Sequence, residues 1–426
     1  MNIRKFSFTI LKKEKSHNLF YMLFLIVSIT FMTLFINIIT DEMILPPTIN
    51  LDGIATGICM ISLIIVVVIG FYAYNYFLAI KLKLIGIFKL SGTYITSMLQ
   101  FLFTQTFSLY LVCIPIGILL GTGGSIIFSK FVYQISGVSY PGFQISLKAT
   151  IYTLVIVLVQ AFYLAVMAYG FIHRHEIKTL LGYQQSKERG EEAHYLNFHF
   201  EIPSWLFVII FVGALFLLAT SENLVENYLV YGNVVLIVCI GKIIDKFMPK
   251  INSYLRKQKC ITDKINLITL ANLDVTLSRC AMLLQVLSFG LLFTICYITA
   301  YAKSPGDLTL MYVVYLMIII VLSLSIMYQV LMESRTRSKS FKQLSKIGYT
   351  KKEITSVIAK EVFLFYLLIV FLSTIYPITA LILFVSSKII SAFLAIQLIT
   401  FFLFVMFVTG IIVYQNYKNM IYQEIE

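Results

Sequence analysis

The residues of this chain that could do chemistry are few and poorly spaced for it. Its six cysteines, Cys59, Cys113, Cys239, Cys260, Cys280 and Cys296, include no C-x-x-C pair. Most fall within or beside apolar runs, where a thiol behaves as a small hydrophobe, so neither a disulfide nor a metal site is expected. His173 and His175 are two apart and diverge on a helix. The chain has no G-x-x-x-x-G-K-[ST] segment and is not expected to hydrolyse ATP alone. Carboxylates at mid-membrane, the mark of an ion-coupled carrier, are missing from the apolar runs. Glu361 comes closest, at the entrance to one of them, and is expected to snorkel to the interface.

What remains is a charged connector, ESRTRSKSFKQLSKIGYTKKEITSVIAKE, from Glu333 to Glu361. On a helix, Lys339, Lys342 and Lys346 share one face and Phe341, Leu344, Ser345 and Gly348 another. Gly348 is expected to end that helix in a left-handed conformation. Thr350, with Glu353 three residues on, has the spacing of a capping box that starts the next. The pattern reads as helix, break, helix.

The elements around this connector are long and apolar. Of 426 residues, 59% are hydrophobic and 12% charged, with a mean hydropathy of +0.91, which excludes a soluble globular chain. A spanning helix needs roughly 20 apolar residues to cross a hydrocarbon core of about 30 Å. Ten candidates meet that rule, at about 19–40, 54–79, 101–128, 149–171, 204–220, 228–244, 282–302, 309–332, 362–385 and 391–414. The expected fold class is an all-α polytopic membrane protein with ten transmembrane helices. No short basic region followed by a cleavage site precedes the first span, so the N-terminus is expected to be mature. With cytoplasmic termini, only Lys130, Lys148, Lys303 and Lys388 of the 33 Lys and Arg lie outside. The net charge of +13 is thus directed at anionic headgroups and cytoplasmic partners, and nucleic-acid binding is not expected because no aromatic stacking platform accompanies it.

The chain also repeats itself. A shift of 256 pairs Lys81 with Arg337, Lys83 with Lys339, Phe88 with Leu344, Gly92 with Gly348, Phe107 with Phe363 and Tyr110 with Tyr366. A second match, at a shift of 264, pairs residues 2–19 with 266–283, including Lys15 with Arg279. The arrangement predicts two four-span units, 1–175 and 261–426, in one orientation, joined by a linker, 176–260, with spans 5 and 6. Each unit opens on an amphipathic segment, Ile3, Phe6 and Ile10 in the first and Ile265, Ile268 and Leu273 in the second, expected to lie flat in the headgroup boundary. The first connector, KLKLIGIFKLSGTYITSMLQFLFTQ, repeats the elbow with Gly92 as its break and Thr93 as its cap, but is more apolar. Gly117, Gly121 and Gly124 in span 3 suit close helix packing. Tyr72, Tyr74, Asn75, Tyr76, Tyr328 and Gln329 suit either hydrogen bonding between the units or the lining of a lateral opening for an amphiphile. Trp205 suits an interfacial anchor, and the loops after spans 4 and 6 suit contact with a cytoplasmic partner.

The duplicated unit, the N-terminal elbow and the connector LKLIGIFKLSGTYITSML resemble the FtsX-like permeases, the MacB and bacitracin-resistance class of ABC transporters. Ten spans with an intervening pair look most like the bacitracin and antimicrobial-peptide resistance branch. The motif covers about forty residues per copy, with Leu84 and Ser340 where the family usually has Glu. The large extracellular domain of that branch has no counterpart in the short segments Asp41–Gly53 and Lys303–Leu308.

The resemblance implies a permease in the bacterial plasma membrane whose elbows dock in two copies of a separate ATPase, which holds ATP and Mg. Residues implied in that coupling are Lys83, Ile85, Phe88 and Gly92 in the first elbow and Lys339, Phe341, Leu344 and Gly348 in the second. The implied substrate is an amphipathic peptide or lipid, in antimicrobial-peptide or bacteriocin immunity or in peptide export. The alternative is a non-transporting subunit that relays ATPase motion to a partner.

Overall fold

A computed structural model describes residues 3–13, 15–40, 52–136, 142, 147–174, 204–221, 223–259, 264–301 and 305–425. The ordered elements among the described residues are helices, with no strand. This follows from the solvent: in a bilayer each backbone amide must be satisfied within its own segment, and apolar runs of this length do so as helices. The first unit carries α1 (Ile3–Lys13), α2 (Lys15–Thr40), α3 (Asp52–Leu90), α4 (Ile95–Ser136) and α5 (Leu147–Arg174). The second carries α6 (Ser204–Ala219), a helical rod over 224–259 labelled α7, α8 (Lys264–Tyr301), α9 (Pro305–Lys346), α10 (Lys351–Ser386) and α11 (Ala392–Ile425). Within α7, two π-helical stretches, Tyr228–Gly232 and Ile243–Phe247, interrupt the α-helix.

Among the described residues, eight helices are long and apolar enough to cross a membrane: Tyr21–Thr40, Ile95–Lys130, Leu147–Gly170, Leu224–Tyr254, Lys264–Ala300, Met311–Arg335, Lys351–Ser386 and Ala392–Gln423. Shorter apolar stretches, Ile61–Phe71 and Trp205–Ala219, fall where spans 2 and 5 are expected.

The chain divides into compact units at 1–199 and 200–426. Helices α6 and α7 therefore belong with the second unit; α7 lies along α8, and the Tyr376 hydroxyl of α10 donates to the Phe211 carbonyl of α6 across 2.7 Å.

In the first unit the main pairing is α2 against α4. The expected small-residue packing is realised there. A methyl group at Gly117 would meet Ile29 Cγ2 at 2.6 Å, and one at Gly121 would meet Thr33 Cβ at 2.5 Å. Only hydrogen at these positions lets the two backbones approach so closely. The second unit pairs α8 with α10, the repeat equivalents of α2 and α4, and adds an extensive contact of α9 with α11.

The first amphipathic segment departs from expectation. It is helical, but α1 packs on α4 instead of lying wholly against lipid: Phe6 meets Phe88 and Phe101 at ring-centre distances of 5.6 and 6.1 Å, and the buried Ser7 hydroxyl donates to the Phe101 carbonyl at 3.1 Å. Phe6 and Ile10 are half-buried, and Phe8 stays 50% exposed. In the second unit the corresponding segment is the first part of α8, continuous with the span that follows.

Candidate functional site

Both connectors fold as helix, break, helix, and they do so by the same hydrogen bonds. After α9, the Gly348 amide donates to the Ser345 carbonyl and the Tyr349 amide to the Leu344 carbonyl. After α3, the Gly92 amide donates to Lys89 and the Thr93 amide to Phe88. This pairing of a short and a long backward bond closes a helix around a left-handed residue. Gly348 has φ +108° and Gly92 φ +71°, values that side chains rarely adopt.

The caps differ. In the second elbow the capping box is complete: the Glu353 amide donates to Thr350 Oγ1 at 3.3 Å, and the Thr350 amide donates to Glu353 Oε2 at 2.8 Å. In the first, Thr93 does not cap α4. Its hydroxyl donates back to the Phe88 carbonyl and helps close α3. The reason is one transposition: Gly92-Thr93-Tyr94 against Gly348-Tyr349-Thr350, which puts a tyrosine at the capping position.

Glu353, ahead of the apolar part of α10, also pairs with Lys264 of α8 at 2.6 Å. The hydrogen bond from Lys264 and those from Thr350 push its carboxyl down to about 2, and the same bond raises the Lys264 ammonium.

The implied coupling residues separate into two groups. Ile85 and Phe341, equivalent at a shift of 256, are buried at 0% and 1% exposure. Phe341 rests on Tyr417 of α11, ring centres 6.2 Å apart. They anchor the elbows from within. Phe88 and Leu344 are half-buried. Lys83 and Lys339 lie outside the described residues at the level of their side chains, as do Tyr72, Asn75 and Tyr76. Tyr328 and Gln329 are buried within the second unit.

The surface at the tips comes from residues that the repeat pattern did not single out. Tyr94 is 82% exposed and Ile347 76%, with Ile87 and Leu90 also exposed on the first elbow. Around Ile347 stand Lys342, Lys346, Lys351 and Lys352, all exposed. One tip is apolar and the other basic with an apolar point.

Behind the second elbow lies a buried charge network that sequence reasoning missed. Arg337 on α9 donates through Nε to Glu333 at 3.1 Å and through Nη1 to Glu361 on α10 at 2.7 Å. Arg279 on α8 pairs with the other oxygen of Glu333. Glu361 also accepts from Asn272 at 3.0 Å, Thr276 at 3.4 Å and the Tyr417 hydroxyl at 3.2 Å. The expectation that Glu361 snorkels is therefore corrected: it is 3% exposed and held inside the unit. Two arginines face two glutamates, and Glu361 accepts four hydrogen bonds, while Arg337 Nη2 is buried without a partner; pairing and hydrogen bonding of this kind are what keep such charges out of water. The network ties α8, α9, α10 and α11 together at the base of the elbow.

The first unit uses different means at the same place. Lys81, equivalent to Arg337, is buried with its ammonium 5.5 Å over the Phe77 ring, and Phe77 stands where Glu333 does in the repeat. Gln105, equivalent to Glu361, donates to the Ser7 carbonyl of α1 at 3.5 Å.

No cluster among the described residues is arranged to hold a metal ion. Cys113, Cys239, Cys280 and Cys296 are buried. Compared with known proteins, the chain matches no family model and no curated protein. Fold and site define an all-α, multi-pass membrane protein with two helical elbows closed by the same hydrogen bonds.

Proposed function

We propose that the chain is the permease subunit of a bacterial ABC transporter of the FtsX-like kind. In this reading α3 and α6 join the eight long apolar helices to make ten spans, with both termini on the cytoplasmic face of the plasma membrane. The substrate is an amphipathic peptide, in antimicrobial-peptide or bacteriocin immunity or in peptide export. A separate ATPase, two copies per permease, supplies ATP and Mg.

The observation that carries the reading is the pair of elbows. Each is closed by a left-handed glycine at a position 256 residues from its twin, braced from below by a buried side chain, and tipped with exposed apolar residues. Exposed Tyr94 and Ile347 on short, rigid hairpins are what a cleft in a partner could grip.

The test is copurification of the tagged chain with an ATPase encoded beside it, using Tyr94→Asp and Ile347→Asp. Ile347 is the better probe than Phe341, because Phe341→Asp buries a charge and would unfold the elbow. Loss of the ATPase from both variants, with unchanged thermal melting, is the expected result. Undiminished copurification with both removes the assignment. Peptide-stimulated hydrolysis by the complex in lipid is expected of a transporter, and hydrolysis indifferent to every peptide and lipid favours the relay reading.

A further inference from the structure

The two elbows share a frame but not a surface. Gly92 and Gly348 close them by matching hydrogen bonds, yet three exposed lysines around Ile347 correspond, at a shift of 256, to uncharged residues. Lys342 matches Gly86, Lys346 matches Leu90 and Lys352 matches Thr96. None of the three lysines pairs with a carboxylate among the described residues, and the acid next in sequence, Glu353, is engaged by Lys264 and Thr350. In the first elbow Lys81 is buried and Lys89 half-buried; the side chain of Lys83 lies outside the described residues, and Lys339 matches it in the second.

The second tip stands too far out for lipid headgroups. The uncharged run of α9 ends at Met332, and Lys346 comes fourteen residues later on the same helix, about 21 Å at 1.5 Å per residue. The headgroup layer on one side of a bilayer is only about 5–8 Å thick. A tip at that height faces water, and a soluble protein is what can reach it. Ile347 gains by burial only in an apolar recess. The lysines around it, drawn against the wall of that recess, lose hydration unless carboxylates meet them.

We propose that the ATPase cleft receiving the elbows is apolar at its floor and acidic at its rim, and that only the second elbow uses the rim. This rests on the permease reading and gives the ATPase surface its chemistry. The first elbow, with Ile87, Leu90 and Tyr94 exposed, is held by the floor alone. Salt screens charge at a rim and leaves apolar contact in place. The two attachments therefore part company as ionic strength rises: the first holds and the second loosens.

The experiment titrates the purified ATPase encoded beside this chain onto the full chain in phosphatidylcholine nanodiscs, at about 0.05 and about 0.5 M NaCl. Tyr94→Asp leaves the second elbow as the grip, and Ile347→Asp leaves the first. The Tyr94→Asp chain should bind about tenfold more weakly at the higher salt, and the Ile347→Asp chain should change by less than about twofold. Adding Lys342→Gln, Lys346→Gln and Lys352→Gln to Tyr94→Asp should abolish the salt dependence, and adding Leu90→Lys to Ile347→Asp should confer one. Should Tyr94→Asp not fold, Tyr94→Ser takes its place. Equal salt dependence of the two chains, a dependence untouched by the glutamines, or binding at the second elbow that requires phosphatidylglycerol in the disc would each overturn the proposal and leave the permease reading standing. Failure of the wild-type chain to bind the ATPase at either salt would overturn both.

Discussion

Arg337 donates to Glu361 across 2.7 Å, joining the helix that enters the second elbow to the helix that leaves it. The two residues are 24 apart in sequence and are separated by the whole hairpin. Any force that opens the hairpin at its base must stretch this bond, together with the Tyr417 and Asn272 bonds to the same carboxylate.

Glu361→Gln should destabilise the second unit by about 3–5 kcal/mol, because it leaves two arginines facing one buried carboxylate. Arg337→Met combined with Glu361→Met should cost much less than either single change. Denaturant unfolding of the four proteins in one detergent gives the coupling energy, and additive losses would contradict a linked network.

Gly348→Val should weaken the elbow through its backbone alone, since no neighbour lies within 4 Å of the added carbon. The left-handed conformation costs an ordinary side chain roughly 1–2 kcal/mol, and a β-branched one more. Gly348→Asn should be close to wild type. Limited proteolysis at the elbow checks both, as faster cleavage is expected only in the valine variant.

Overpacking separates the glycines of α4. A methyl at Gly121 would stand 2.8 Å from the Thr30 carbonyl oxygen, whereas one at Gly123 meets nothing within 4 Å. Gly121→Ala should lower stability by about 1–3 kcal/mol and Gly123→Ala should be neutral, as read by thermal melting. Equal melting temperatures would contradict the described contact of α2 with α4.

Thr350→Ala should cost about 1 kcal/mol by removing the cap of α10. Its partner Glu353 sets the pH dependence. A carboxyl depressed to about 2 contributes stability above its unfolded value and loses it as pH falls from the ordinary carboxylate range, about 4.3, through the folded one. The raised Lys264 loses its share only as pH rises through its folded value in strong base. The pair should therefore hold unchanged around neutrality, and the protection of the Thr350 amide against hydrogen exchange, corrected for the intrinsic rate at each pH, should fall only in acid.

The elbows were legible because their signals are local. Gly92, Gly348, Thr350 and Glu353 act within one turn of themselves, and a short window of sequence contains all the partners they need. The Thr93 cap failed on the same scale, through an exchange of two adjacent residues. Glu361 was illegible for the opposite reason: its partners lie on three other helices, and a scan for apolar runs sees only a carboxylate at the edge of one. The attachment of α6 and α7 to the second unit depends likewise on contacts such as Tyr376 with Phe211, 165 residues apart, which no periodicity encodes.

Lys81 rests over an aromatic ring, whereas Arg337, at the matching position 256 residues on, is gripped by two carboxylates. With Phe77 and Gln105 standing where the second unit has Glu333 and Glu361, the charge cluster beneath the second elbow has no copy beneath the first. The two levers are seated on unlike foundations, and a change of salt or pH that loosens one leaves the other's footing alone.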